Sequence, residues 1–320
     1  MQLSFLTPLG AAFAFTALLP LAIFLVRERR ARQMREALGL RHPSHLSRLP
    51  LVTALAAVPG LLALAAMQPV VETTRTVLER TDAEVFVVLD VSRSMLAAAN
   101  TDAPIRLERA RLEAERLRAR LPQVPIGILS MTDRVLPHLF PTTDRGVFAA
   151  TLEHAIGIER PPPELSFSTR ATSLGSLAGI PRREYFSPSA RKRLLIVLTD
   201  GESRPLEGDL ARVFSRRPRI ETLLVHYWSA DERIYETGVA ERGYRPDRAS
   251  RGVLDRVASL VGGRVFSEAE PVAVEDAAFR AVGNGRTRKL VIEGERRALM
   301  PFATLAALFP LGFVLLRRNL

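Results

Sequence analysis

Apolar and polar positions are segregated along this chain. Phe5 to Val26, Leu51 to Val71 and Ala298 to Leu316 each run for about twenty residues without a charged side chain. A helix needs roughly 20 apolar residues to cross a hydrocarbon layer about 30 Å thick. Three transmembrane helices are therefore expected, two near the N-terminus and one near the C-terminus. The first does not read as a cleaved leader. Met1 to Ser4 carries no basic side chain, the apolar run is too long, and Arg27, Arg29 and Arg30 follow it. The second contains Pro59 and Gly60, which a spanning helix tolerates where freed carbonyls find partners.

Between the second and third runs the pattern changes to short apolar segments alternating with amphipathic ones. Glu84 to Asp90 (EVFVVLD) is β-branched, short and bounded by polar residues, as a buried strand should be. Leu107, Ala110, Ala114, Leu117 and Leu121 recur at helical spacing within Ile105 to Leu121. Strands are expected over Val124 to Met131 and Val135 to Phe140, antiparallel across the turn Thr132-Asp133-Arg134. Thr143 or Asp144 should cap a helix reaching about Ile156. After a proline-bearing loop, Gly157 to Ala171, a helix is expected over 173–183. Leu194 to Thr199 gives the clearest strand. Next come a helix (208–215), a strand (220–227), a helix (248–260), a strand (264–266) and a last helix (271–281). This alternation predicts an α/β fold with a doubly wound, mainly parallel sheet covered on both faces. The segments Glu72 to Thr81 and Thr287 to Ile292 lie outside the alternation and are candidates to pair with each other. The domain plan is then 1–71 for two spans and their loop, 72–297 for the α/β domain (core about 85–281), and 298–320 for the last span and its tail.

The net charge of +11 belongs largely to the membrane flanks. Residues 27–50 hold seven arginines against two glutamates, and Arg317 and Arg318 follow the last span. Only +4 is left for the long stretch between, which reads as nearly balanced, without the basic stripe of a nucleic-acid groove. Arginine-rich short loops stay cytoplasmic. The expected topology is a multi-pass protein of the cell (inner) membrane with its α/β domain extracytoplasmic. Arg286, Arg288, Lys289, Arg296 and Arg297, just before the third span, run against that rule. The chain has no cysteine, so disulfides, thiol nucleophiles and thiolate metal sites are excluded.

The chemistry concentrates where the first buried strand ends, in Asp90-Val91-Ser92-Arg93-Ser94. Three oxygen-bearing side chains at every second position, just past a carboxyl end, can converge on one point. Ligands of doubly wound sheets bind there, where strand order reverses. The strand Leu194 to Thr199 runs into Asp200-Gly201-Glu202, a second carboxylate at a neighbouring strand end.

DVSRS followed by LIVLTDGES closely resembles the von Willebrand factor A fold and its metal-ion-dependent adhesion site, written D-x-S-x-S, then a threonine, then an aspartate. Asp90, Ser92 and Ser94 match the first element and Asp200 the last. Thr172 stands where the family carries its threonine, with Thr169 as the alternative. The resemblance implies a bound divalent cation, Mg²⁺ with Mn²⁺ or Ca²⁺ as alternatives, and a protein partner that supplies an acidic side chain. Hydroxyls and carboxylates suit such a hard cation. The sequence departs from the family at Arg93, and at Arg170 and Ala171, where relatives carry glycine. Arg93 could repel the cation or clamp an incoming carboxylate. Two N-terminal spans, an A domain and one C-terminal span resemble BatA-type membrane proteins. That resemblance implies work beside MoxR-type AAA+ ATPases, and beside other membrane proteins of this class, in envelope protein assembly. A chelatase-like subunit that helps an ATPase insert metal, and a structural scaffold with an idle site, are the alternatives.

Enzyme readings fail on particular residues. A haloacid dehalogenase-type phosphatase needs an acid where Ser92 stands. No P-loop and no G-x-S-x-G elbow is present. His138, His154 and His226 read as ordinary strand or helix histidines, and His42 and His45 lie in the basic loop. No catalytic residue, organic cofactor or nucleic-acid partner is expected. The loop Gly157 to Ala171, with Ser166 and Phe167, is the expected determinant of partner choice.

Overall fold

The computed structural model describes residues 2–39, 49–160, 162, 172–206 and 209–318. The chain divides into two compact units, residues 1–76 with 291–320, and residues 77–290.

The second unit holds the α/β domain. Its strands are β3 (Ala83–Asp90), β5 (Ile126–Met131), β6 (Val135–Thr142), β7 (Lys192–Thr199), β8 (Ile220–His226) and β10 (Arg264–Ser267), in the order β10-β8-β7-β3-β5-β6. All pairings are parallel except β5 with β6. Burial on both faces explains the unbroken apolar runs. Along β3, Val85, Val87 and Leu89 enter one core while Phe86 and Val88 enter the other, the period of two that a pleated strand imposes. Leu194, Ile196 and Leu198 of β7 share the first core, and Leu195 and Val197 the second.

Helices α3 (Arg106–Arg120), α4 (Arg145–His154) and α8 (Pro271–Val282) cover the first face. The short helices α5 (Gly179–Arg182) and α6 (Leu210–Phe214), with α7 (Ser250–Val261), cover the second. Asp144 caps α4, its Oδ1 accepting from the amides of Gly146 at 2.8 Å and Val147 at 3.1 Å. The expected helix over 173–183 is instead a 3-10 helix, Leu174–Ala178, followed by the single turn of α5. Gly175, Gly179 and Pro181 depress helix propensity through this stretch. A two-residue ladder joins β4 (Ala97–Ala98) to β9 (Arg233–Ile234).

The first unit contains three helices long and apolar enough to cross a membrane. These are α1 (Leu18–Ala37) preceded by the 3-10 helix Pro8–Ala17, α2 (Leu49–Ala66) with Pro59 inside it, and α9 (Met300–Arg318). The first was expected from Phe5. The segment Gln2–Phe5 instead forms β1, antiparallel to β2 (Pro69–Arg80). Strand β2 also neighbours β11 (Thr287–Ala298), so the two segments left outside the α/β alternation do share a sheet. Gly10 packs so closely on the end of α2 that a Cβ would lie 2.5 Å from the Ala66 carbonyl. The loop histidines His42 and His45 lie outside the described residues.

Candidate metal centre

The strand order reverses at β3. The chain proceeds from β3 through α3 to β5 on one side, and returns to β7 on the other. Asp90 ends β3 and Asp200 follows β7 directly, so the two carboxylates stand at adjacent strand ends on the switch point. Both are fully buried, and Ser92 and Thr172 are nearly so.

Asp90 is held on every side. Its Oδ1 accepts from the Ser92 amide at 3.0 Å and the Thr172 hydroxyl at 3.4 Å, and its Oδ2 from the Thr199 hydroxyl at 2.5 Å. The hydroxyl oxygens of Ser92 and Ser94 lie 3.0 Å apart. Ser94 sits in a 3-10 turn, Arg93–Leu96, that begins three residues past the strand end. The structure therefore gathers Asp90, Ser92, Ser94 and Thr172, with Asp200 beside them. Thr169, Ser166, Phe167, Arg170 and Ala171 lie outside the described residues, as does most of the loop 157–171. Burial pushes the Asp90 carboxyl up to about 7, and the Asp200 charge adds to that push against the Thr199 and Ser92 hydrogen bonds.

Asp200 has a partner that the motif does not announce. Its Oδ2 accepts from Arg106 Nη1 at 3.0 Å, and its Oδ1 from the Glu202 amide at 2.9 Å. Arg106 is wholly buried at the first position of α3. The same Nη1 reaches Glu202 at 3.2 Å, the Tyr244 hydroxyl at 2.9 Å and the Ser94 carbonyl at 3.4 Å, and Nε reaches Glu232 at 2.7 Å. Burial opposes its charge, but Asp200, Tyr244, Glu232 and Glu202 outweigh burial and hold the guanidinium above its ordinary pKa. Glu202 is raised by burial first and by Asp200 next. Arg106 was legible in principle. It lies four residues before Ala110, in phase with the buried stripe of α3. Thr199 and Tyr244 carry no comparable signal. His226 is more than a strand histidine: its Nε2 lies 3.1 Å from the Asp200 carbonyl and 3.0 Å from the Ser250 hydroxyl, and so positions the β7 end.

Arg93 is partly exposed and paired with two carboxylates. Its Nη2 is shared by Glu236 at 2.9 Å and Glu241 at 3.0 Å, on the excursion after β8 that also supplies Glu232 and Tyr244.

Ser92, Ser94, Thr172, Asp90 and Asp200 offer only oxygen donors, the set that suits a hard divalent cation. Among the described residues no group of three His, Asp or Glu side chains could hold a metal. A cation here would rest on hydroxyls and two carboxylates.

No protein-family model matches the sequence, and no curated protein matches it. Solved structures do resemble it. BatB from Bacteroides thetaiotaomicron is 22% identical, with a TM-score of 0.50 over 62% of this chain and 98% of that one. An aerotolerance-related membrane protein from Bacteroides fragilis is 21% identical, with a TM-score of 0.46 over the same shares. A von Willebrand factor type A protein from Catenulispora acidiphila is 17% identical, with a TM-score of 0.40 over 67% of this chain and 46% of that one. The mainly parallel sheet with helices on both faces fits the von Willebrand factor A fold.

Proposed function

We propose, from that fold and its membrane helices, that this chain is a BatA-like module that binds protein partners through a divalent cation. Ser92, Ser94 and Thr172 would supply hydroxyl ligands, and Asp90 and Asp200 the balancing charge. The observation that carries this reading is the convergence of five oxygen-bearing side chains from three separate segments at the sheet's switch point. Mg²⁺ is the cation of choice, with Mn²⁺ or Ca²⁺ as alternatives, since a hard ion prefers such donors. A cation held by so few protein groups keeps positions for a partner's acidic side chain, and this is the Lewis-acid chemistry it would supply. The chain's own residues then set its geometry. Thr199 fixes Asp90, while His226 and the Glu202 amide fix Asp200. Binding rather than catalysis is the proposed activity, with a MoxR-type AAA+ ATPase as a working partner in envelope protein assembly.

One observation favours a second reading, a structural scaffold whose metal site is idle. Arg106 already places a positive charge on Asp200. Calorimetric titration of the purified protein with Mg²⁺ and Mn²⁺, beside Asp90→Ala and Asp200→Ala, separates the two. Saturable binding lost in both variants supports the metal-dependent module. No metal-dependent heat or thermal shift in the unaltered protein at millimolar metal would sink it in favour of the scaffold.

A further inference from the structure

The opposite end of the sheet carries a second concentration of chemistry. Arg191 precedes β7 and Lys192 and Arg193 open it, Arg216, Arg217 and Arg219 precede β8, and Arg264 opens β10. These segments are far apart in sequence, but register brings them together. Arg193 pairs with Ile220, and Arg264 with Leu223. Arg191, Lys192, Arg193, Arg219 and Arg264 line one cavity of about 650 Å³, together with Glu221. Arg193, Arg216 and Arg217 line an adjoining cavity of about 230 Å³ with Glu184.

The charge of this face is unbalanced. Glu221 is engaged by Arg264 at 3.1 Å. Arg193 is fixed without a carboxylate, through the Ala190 and Ser187 carbonyls and the Phe186 ring. The exposed side chains of Arg191, Arg216, Arg217 and Arg219 make no hydrogen bond or ion pair among the described residues. Guanidinium forks are the donors that match phosphate oxygens.

The chain's path indicates which phosphate. The Asp82 carbonyl accepts the amides of both Arg191 and Lys192, at 3.0 and 2.9 Å. Lys192 Nζ donates to the Val282 carbonyl at 2.8 Å, and Arg80 to the Gly283 carbonyl at 2.6 Å. Residues 80–82 and 282–283, near the sequence ends of the domain, thus flank this cluster. Clusters of Lys and Arg tethered to a membrane are drawn to anionic headgroups. Bases, by contrast, would need exposed aromatic rings to stack on; in the lining Phe186 and Phe214 are buried, and Tyr185 is half-buried against the second core.

We infer that the Arg191/Arg216/Arg217/Arg219 face is a binding site for the phosphate groups of anionic phospholipids. The site is independent of the candidate metal centre.

The chain's lack of cysteine makes a direct test available. A full-length Ser215→Cys protein carries an environment-sensitive fluorophore at the cavity edge and is reconstituted, with EDTA present, into nanodiscs of phosphatidylcholine alone or with phosphatidylglycerol. A fluorescence shift is expected only with phosphatidylglycerol. It should vanish near 1 M salt, where the screening length falls to about 3 Å. It should also vanish in an R191Q/R216Q/R217Q/R219Q variant that melts like its parent. Equal signals in both lipids would overturn the inference, as would a phosphatidylglycerol signal that survives the four substitutions. A response in phosphatidylcholine discs to inorganic phosphate, polyglutamate or an oligonucleotide, with none to phosphatidylglycerol, assigns the face to that anion instead.

Discussion

Arg106 and Glu113 are both acidic or basic groups sunk into the first core, and their energetics run in opposite directions. Arg106 lies among Asp200, Glu202 and Glu232. Deleting one member of a buried ionic cluster strands the rest, at a cost of about 3–5 kcal/mol. Arg106→Met should destabilise the protein by that order in denaturant melts, because three carboxylates lose their shared cation. Millimolar Mg²⁺ should then stabilise the variant more than the parent, since a ligand that binds only the folded state adds its own free energy. Glu113 has no such support. Burial, and then the Glu275 charge, raise its carboxyl to about 7, against a weak 3.5 Å contact with Arg116. A raised acid is accommodated when protonated, so stability should be greatest below its ordinary value of 4.5 and fall as pH rises toward 7. Glu113→Gln should remove that slope. The expected gain is about 1–3 kcal/mol above pH 7, with none near pH 4, read from melting curves across pH.

The strands are where the sequence was most legible, and the reason is their burial on both faces. No polar position breaks the apolar runs Val85 to Leu89 of β3 and Leu194 to Leu198 of β7, so the element type followed from composition, while β7 begins two residues before the expected Leu194, at Lys192. Legibility failed where elements are too short to show a period, as in β1, β4 and β9. It failed again over 174–182, where glycines and a proline split one expected helix into two turns. The candidate site divides in the same way. Asp90, Ser92, Ser94 and Asp200 were readable because they follow strand ends at fixed spacing. Thr199, Tyr244 and Glu232 were not, because only the tertiary fold brings them near. The basic face opposite was missed because its charge is distributed over three separate segments, each modest by itself. Between β7 and α7 the packing is tight enough to test. Gly201 has φ +71°, and a Cβ there would lie 2.9 Å from both the Ser250 carbonyl and the Leu254 side chain. Gly201→Ala should cost about 1–3 kcal/mol from backbone strain alone. It should also weaken any metal binding by displacing its neighbour Asp200, which calorimetry on the folded variant would detect.

For the whole molecule, the arginines that end α1 and α9 are the kind of flanking charge that favours the cytoplasm, and we propose on that ground that the α/β domain lies outside. Single cysteines test this side assignment in intact cells. Ser189→Cys on the exposed domain surface should react with an impermeant maleimide, and Gln33→Cys on α1 only after lysis. The reverse pattern would put the domain in the cytoplasm. The domain's entrance and exit are fastened to each other: Thr81 to Arg286 by a 3.1 Å backbone bond, Glu79 to Arg288 by an ion pair, and Arg80 to the carbonyl of Gly283. A fold that opens and closes through one such seam is an insert, and its ends lie close enough together to be spliced. Cut at residues 77 and 290, it is a cassette that could be transplanted into a surface loop of another host. A foreign domain with equally close ends could take its place without asking the apolar helices to move.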